Sequence, residues 1–153
     1  MRSLFRAVKE IAKKHSDTKI IYPIHMNPLV RQIATEEFLE CENILLTEPL
    51  NTVDFHNIMA RSYFVITDSG GIQEEAPSLG VPVLVARDTT ERPEGVAAGT
   101  LRLVGTRTES IFDAADLLLS DKREHEKMAR ATNPYGDGHA CERICDIVAR
   151  FFI

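Results

Sequence analysis

Ser69-Gly70-Gly71 stands where an apolar run, Tyr63-Phe-Val-Ile-Thr67, gives way to a helical pattern that starts near Ile72. Two residues without a Cβ let backbone N–H groups approach an anion closely, and the following helix adds unpaired donors and the positive end of its dipole. A phosphate fits such a turn. Glycines also serve tight strand-to-helix turns for structural reasons alone, and the triplet matches neither the dinucleotide fingerprint nor a Walker loop. Gln73-Glu74-Glu75 comes next, in the first helical turns. Carboxylates there offset the dipole but repel a phosphate unless they point elsewhere. One of them can accept from ribose hydroxyls; a solvated face is the plain alternative.

Three more polar stretches follow apolar runs in the same way: His25-Met-Asn27 after 19–24, Thr47-Glu-Pro-Leu50 after 43–46, and Arg87-Asp-Thr-Thr-Glu-Arg92 after 81–85. His25 reads either as a capping or buried histidine or as a polar contact in a crevice. The cations of the 87–92 stretch could meet a diphosphate, or pair with Asp88 and Glu91 in water at little net energy. Phe55, on a helical pattern just past 43–46, is a core residue or a ring beside a base. Asn133-Pro-Tyr-Gly-Asp-Gly138 is a turn, structural or offering backbone donors near the same crevice. Glu36, Glu37, Glu40 and Glu42 read as an exposed acidic helix end, and Lys122, Arg123, Glu124 and Lys127 as another solvated face.

These stretches are positioned by alternating elements. Leu4, Val8 and Ile11 repeat at helical spacing, 19–24 is β-rich, and Asn27-Pro28 is an N-cap with proline at the first helical position. Strands at 43–46, 63–67, 81–85 and 101–104 alternate with helical patterns at 52–61, 72–79 and just after Pro93, and three more follow near 109–119, 121–131 and 139–152. The nearly continuous apolar character of 63–67 predicts a central strand covered on both faces. Such alternation predicts an α/β fold, a parallel sheet with helices on both faces in the doubly wound class. In that class the crevice lies beyond the carboxyl ends of the strands, where the four polar stretches fall. The chain opens directly with a helix, so the strand that ordinarily comes first is expected to be missing.

Composition narrows the function classes. At 153 residues the chain is one domain with one core, and a formal charge of -5 supplies no basic field for nucleic acid or anionic lipid. No apolar run approaches the ~18 residues of a membrane span, and the N-terminus reads as a mixed-charge helix rather than a signal peptide, so a cytoplasmic location is expected. Cys41, Cys141 and Cys145 cannot all pair, and only His139 lies near the last two. Buried small apolar side chains are expected at all three, with no metal site.

Read together, Tyr22-Pro-Ile-His-Met-Asn-Pro28, Thr67-Asp-Ser-Gly-Gly-Ile-Gln-Glu-Glu-Ala-Pro77, Gly80-Val-Pro-Val-Leu84, Arg87-Asp-Thr-Thr-Glu-Arg-Pro-Glu-Gly95, Gly99-Thr100, Arg102-Leu-Val-Gly-Thr106 and Asn133-Pro-Tyr-Gly-Asp-Gly138 resemble the non-hydrolysing UDP-N-acetylglucosamine 2-epimerases, essentially end to end. The resemblance is to the C-terminal, Rossmann-like half of a two-domain GT-B architecture. It implies that the Ser69, Gly70 and Gly71 backbone holds the UDP diphosphate, Glu75 the ribose hydroxyls, and Phe55 with the Leu50 backbone the uracil, while Arg92 reaches the nucleotide sugar. His25 would match a histidine that contributes to a second, regulatory substrate site in some members. The family interconverts UDP-N-acetylglucosamine and UDP-N-acetylmannosamine without metal or redox cofactor, commonly as homodimers. Its proton-handling carboxylates belong to the N-terminal half, so 1–153 is expected to be a UDP-binding domain that is inactive alone and binds UDP weakly. The rival readings are a stand-alone nucleotide-sugar-binding or partner module, and a hydrolysing epimerase, which the 87–92 block disfavours.

Overall fold

Among residues 1–152, the part that the computed structural model describes, five parallel strands alternate with eight helices. They run α1 (Arg2–Lys14), β1 (Ile20–Pro23), α2 (Pro28–Phe38), β2 (Ile44–Thr47), α3 (Thr52–Met59), β3 (Val65–Thr67), α4 (Gly70–Ser78), β4 (Val83–Val85), α5 (Pro93–Ala98), β5 (Leu101–Leu103), α6 (Thr108–Ser120), α7 (Lys122–Ala129) and α8 (Ala140–Phe152). The expected α/β alternation is present, with each boundary within a few residues of its sequence signal.

The strands form two sheets rather than one. β1 pairs with β2, Ile20 opposite Ile44, while β3, β4 and β5 form a second sheet with Val65 opposite Val83 and Val83 opposite Leu101. β4, not β3, is the central strand of that sheet. Val83, Leu84 and Val85 are all fully buried, and their alternation explains why. Leu84 packs with Ile111, Ala115 and Leu118 of α6, whereas Val83 and Val85 pack with Met59 of α3 and Ala76 of α4. Each fully buried Leu or Ile of this kind contributes about 1.5–3 kcal/mol. β3 has the same two-sided pattern, Val65 toward one layer and Ile66 toward the other, but it is an edge and stays half-buried.

α1 joins the two sheets. Phe5 and Ala12 pack into the cluster over β1 and β2, Ala7 and Ile11 into the cluster over β4 and α6, and Leu4 touches both. Asp116 of α6 fastens the end of α1 through Lys14 Nζ at 2.7 Å and His15 Nε2 at 2.8 Å. Glu36 and Glu37, expected to face only solvent, reach Arg2 and Arg6 across the α1–α2 seam.

α8 differs from the other helices. Cys141, Ile144, Cys145, Ile147, Val148 and Phe151 share one stripe, and every one of them is exposed, Phe151 by 82%. Cys41 is buried as expected, but Cys141 and Cys145 are not. Their helix stands clear of the core, so apolar periodicity alone misplaces them. No described helix is long and apolar enough to cross a membrane.

Candidate functional site

Because the strands pair in parallel within each sheet, the carboxyl ends of each sheet open on one side, where the loops that follow them lie. Tyr22, at the end of β1, has its phenol pushed upward by burial and then by the charge of Asp68, just past β3.

Ser69 is the N-cap of α4, yet its side chain makes no capping bond, unlike Asn27, Asn51 and Asp121 at the starts of α2, α3 and α7. The first amides of α4 therefore keep the unpaired donors of a helix start. Gly70 and Gly71 lie at that start without a positive φ, so an L side chain could adopt their backbone. Space does not demand glycine either. A Cβ on Gly71 would meet nothing nearer than Glu75 Oε1 at 3.7 Å, and one on Gly70 would lie 2.6 Å from Glu91 Oε1, the end of a side chain that would have to shift. Gly80 is a real structural glycine by contrast. Its φ of 71° closes α4, with Gly80 N–H donating to Pro77 and Val81 N–H to Ala76.

The carboxylates of α4 do point elsewhere. Glu74 is ion-paired with Arg92 Nε, and Glu75 Oε2 accepts from His56 Nε2 of α3 at 3.1 Å, leaving Oε1 on the Gly71 side. Arg92 also binds the Glu91 carbonyl through Nη1 at 3.2 Å, and Glu74 raises the hold of its guanidinium on its proton. Arg87 grips Glu91 at 2.7 Å. The Glu91 carboxyl lies below its ordinary range, first through its own backbone N–H and then through Arg87 and Arg92, so it hangs over the glycine turn as an anion. Within the mixed-charge loop Arg87 pairs with Glu91, as one of the two sequence readings had it, whereas Arg92 turns to Glu74 of α4.

Phe55 is half-buried on α3, one residue before His56, and packs against the cluster of β3 and β4; Leu50, just ahead of α3, is half-buried as well. A cavity of about 230 Å³ lies between α3 and α4, lined by His56, Met59, Glu75, Ser78 and Leu79. A larger hollow of about 390 Å³, lined by Val96, Leu101, Arg102, Leu103 and Met128, bears none of Ser69, Gly70, Gly71, Glu75 and Arg92. His25 is exposed beyond β1, where its Nδ1 accepts from the Asn27 amide at 3.1 Å, so Nε2 carries the ring proton and is open. Tyr135 of the 133–138 turn packs its hydroxyl against Gly95, which makes that turn a brace for α5.

Ser69, Gly70, Gly71, Glu75 and Arg92 are brought together, with Phe55 and Leu50 on the α3 side. His25 belongs to the end of the other sheet. Sequence reading missed His56, which pairs across elements with Glu75, and it named Glu74 without its Arg92 partner and the 87–92 stretch without the particular part of Thr90. Among the described residues no three His, Cys, Asp or Glu side chains converge as metal ligands would.

A family model described as UDP-N-acetylglucosamine 2-epimerase matches residues 1–149. The UDP-N-acetylglucosamine 2-epimerase of Bacillus subtilis (strain 168) is 53% identical over 146 residues, covering 95% of this chain and 38% of that protein. The S. aureus MnaA–UDP co-structure superposes with a TM-score of 0.94 at 48% identity, over 99% of this chain and 42% of the other. UDP-GlcNAc 2-epimerase from Neisseria meningitidis, bound to UDP-GlcNAc, gives 0.92 at 43% identity, over 98% and 41%. The chain spans roughly two-fifths of the length of these relatives. With the strand-end loops inside a match that runs from the first residue to the last helix, the chain belongs to the UDP-N-acetylglucosamine 2-epimerase family.

Proposed function

We propose that residues 1–153 are the UDP-binding, C-terminal half of an enzyme that interconverts UDP-N-acetylglucosamine and UDP-N-acetylmannosamine. In that reaction a base removes the C2 proton, the C1–oxygen bond breaks with its electron pair leaving on UDP, and a C1–C2 double bond gives 2-acetamidoglucal. UDP then re-adds at C1 while C2 takes a proton on its other face. This half contributes donors for the departing diphosphate, and the proton-handling groups belong to the other half. Ser69, Gly70 and Gly71 hold the diphosphate, Glu75 the ribose, Phe55 and the Leu50 carbonyl or amide the uracil, and Arg92 the nucleotide sugar. His25 serves a second, regulatory substrate molecule.

One observation carries the reading: α4 begins uncapped, on two glycines that neither backbone geometry nor packing requires. Their use is then the close approach of a ligand. Two further features support a half-enzyme. The free edges of β1 and β3 leave room in the sheet for a strand ahead of α1, and the apolar stripe of α8 calls for a cover that the relatives' remaining length can supply. The whole enzyme is proposed to be a cytoplasmic homodimer without metal or redox cofactor, with neither nucleic acid nor membrane as partner.

Titrating the chain with UDP, followed by NMR, is expected to shift the Gly70 and Gly71 amides at weak affinity. Adding UDP-N-acetylglucosamine is expected to give no mannosamine epimer. Shifts confined to other surfaces overturn the site, and turnover by the chain alone overturns the division of labour.

A further inference from the structure

Gln73 is the only fully buried polar side chain with two partners on different strand-end loops among the described residues. It lies one turn into α4. Its Nε2 donates to the Ser69 carbonyl at 3.2 Å, and its Oε1 accepts from Thr90 Oγ1 at 2.5 Å. Thr90 Oγ1 accepts in turn from the Arg92 backbone N–H at 3.0 Å. One amide therefore links the turn after β3 to the loop after β4. Neither loop reaches the other through a backbone hydrogen bond at these positions.

We propose that Gln73 is a positioning residue for nucleotide binding, fixing the Ser69–Gly71 amides and the Arg92 loop at one separation so that the amides meet the diphosphate while Arg92 reaches the sugar of the same nucleotide sugar. The inference rests on the nucleotide site proposed above. An amide suits the task because it donates at one end and accepts at the other, while its burial removes competing water. A carboxylate in its place would face the Ser69 carbonyl without a proton to give, and a thioether would satisfy neither neighbour. Preorganisation of this sort strengthens binding by lowering the ordering cost of two loops, without any contact of its own to the ligand.

The test uses Gln73→Met, Thr90→Val, Thr90→Ser and a control core variant, Ile111→Val, each titrated with UDP by NMR and melted. Thr90→Val cuts the link from its half-exposed end, so it reports even if Gln73→Met fails to fold. The expected result is a loss of UDP affinity of about tenfold or more for Thr90→Val and for folded Gln73→Met. Thr90→Ser, which keeps the hydroxyl, binds within about twofold of the parent, and Ile111→Val does so despite a lower melting temperature. Affinity that tracks melting temperature across all four, or Thr90→Ser as weak as Thr90→Val, overturns the positioning role. If the parent gives UDP shifts at Gly70 and Gly71 and Thr90→Val matches it, Gln73 alone is misassigned. If the parent gives none, the nucleotide site fails and this role falls with it.

Discussion

His56 Nε2 donates to Glu75 Oε2 at 3.1 Å, which turns the other carboxylate oxygen of Glu75 toward Gly71. The bond joins α3 to α4 across the shallow cavity between them. It leaves Glu75 oriented with one oxygen unpaired, in keeping with the ribose role proposed for it.

Glu75→Ala is expected to weaken UDP binding by about tenfold, and His56→Ala by about threefold, since the histidine acts only through the carboxylate. The double variant should then bind no worse than Glu75→Ala. A double-mutant cycle on UDP affinity checks this; independent, multiplying losses would show that His56 touches the ligand itself.

Gly70→Ala separates folding from binding. Its backbone is open to alanine and the intruding Glu91 end can swing away, so stability should rise by about 0.4–1 kcal/mol through lower unfolded-state entropy. UDP affinity should fall at least about tenfold, because the new methyl would stand where the proposed site brings phosphate oxygens close. Denaturant melts beside UDP titrations read both; a destabilised variant would make Gly70 a structural glycine after all.

Asp116 ties α6 to α1, and its carboxyl is held below the ordinary range, first by the hydrogen bond from Lys14 and then by that from His15. A depressed folded-state value adds stability above the unfolded value of about 4 and loses it as pH falls through the folded value. Asp116→Asn should cost about 0.5–1 kcal/mol at pH 7. The gap from the parent should narrow as the pH falls, as melts at pH 7 and pH 3 would show. A gap of unchanged size between pH 7 and pH 3 would mean packing, not charge, is at work.

Ile147→Asp with Val148→Asp should leave the stability of this chain within about 0.5 kcal/mol, because both side chains are exposed on α8. The same pair in the whole enzyme should be strongly disruptive. Chemical melts of both proteins make the comparison; a large loss in the isolated chain would place α8 against its own core.

Strand and helix order, the Asn27 cap and the glycine turn were legible because each depends on residues a few positions apart, whereas the Asn51 and Asp121 caps emerged only in the structure. The 63–67 run shows the limit. Its apolar pattern told of two covered faces, which it has, but a strand's place in a sheet depends on which edges are paired, and β4 took the centre. Cys141 and Cys145 failed for a related reason: a helical stripe says which face wants cover, not whether cover is near.

What the sequence determined by itself is the α/β alternation and the strand-end position of Ser69, Gly70, Gly71, Glu75 and Arg92, since periodicity and turn chemistry act locally. Only the tertiary structure decided that Glu74 restrains Arg92, that His56 orients Glu75 and that Gln73 bridges to Thr90. Those are pairings between segments up to 19 residues apart, made when parallel strands stack their loops at one end, and no spacing along the chain encodes which side chains then meet.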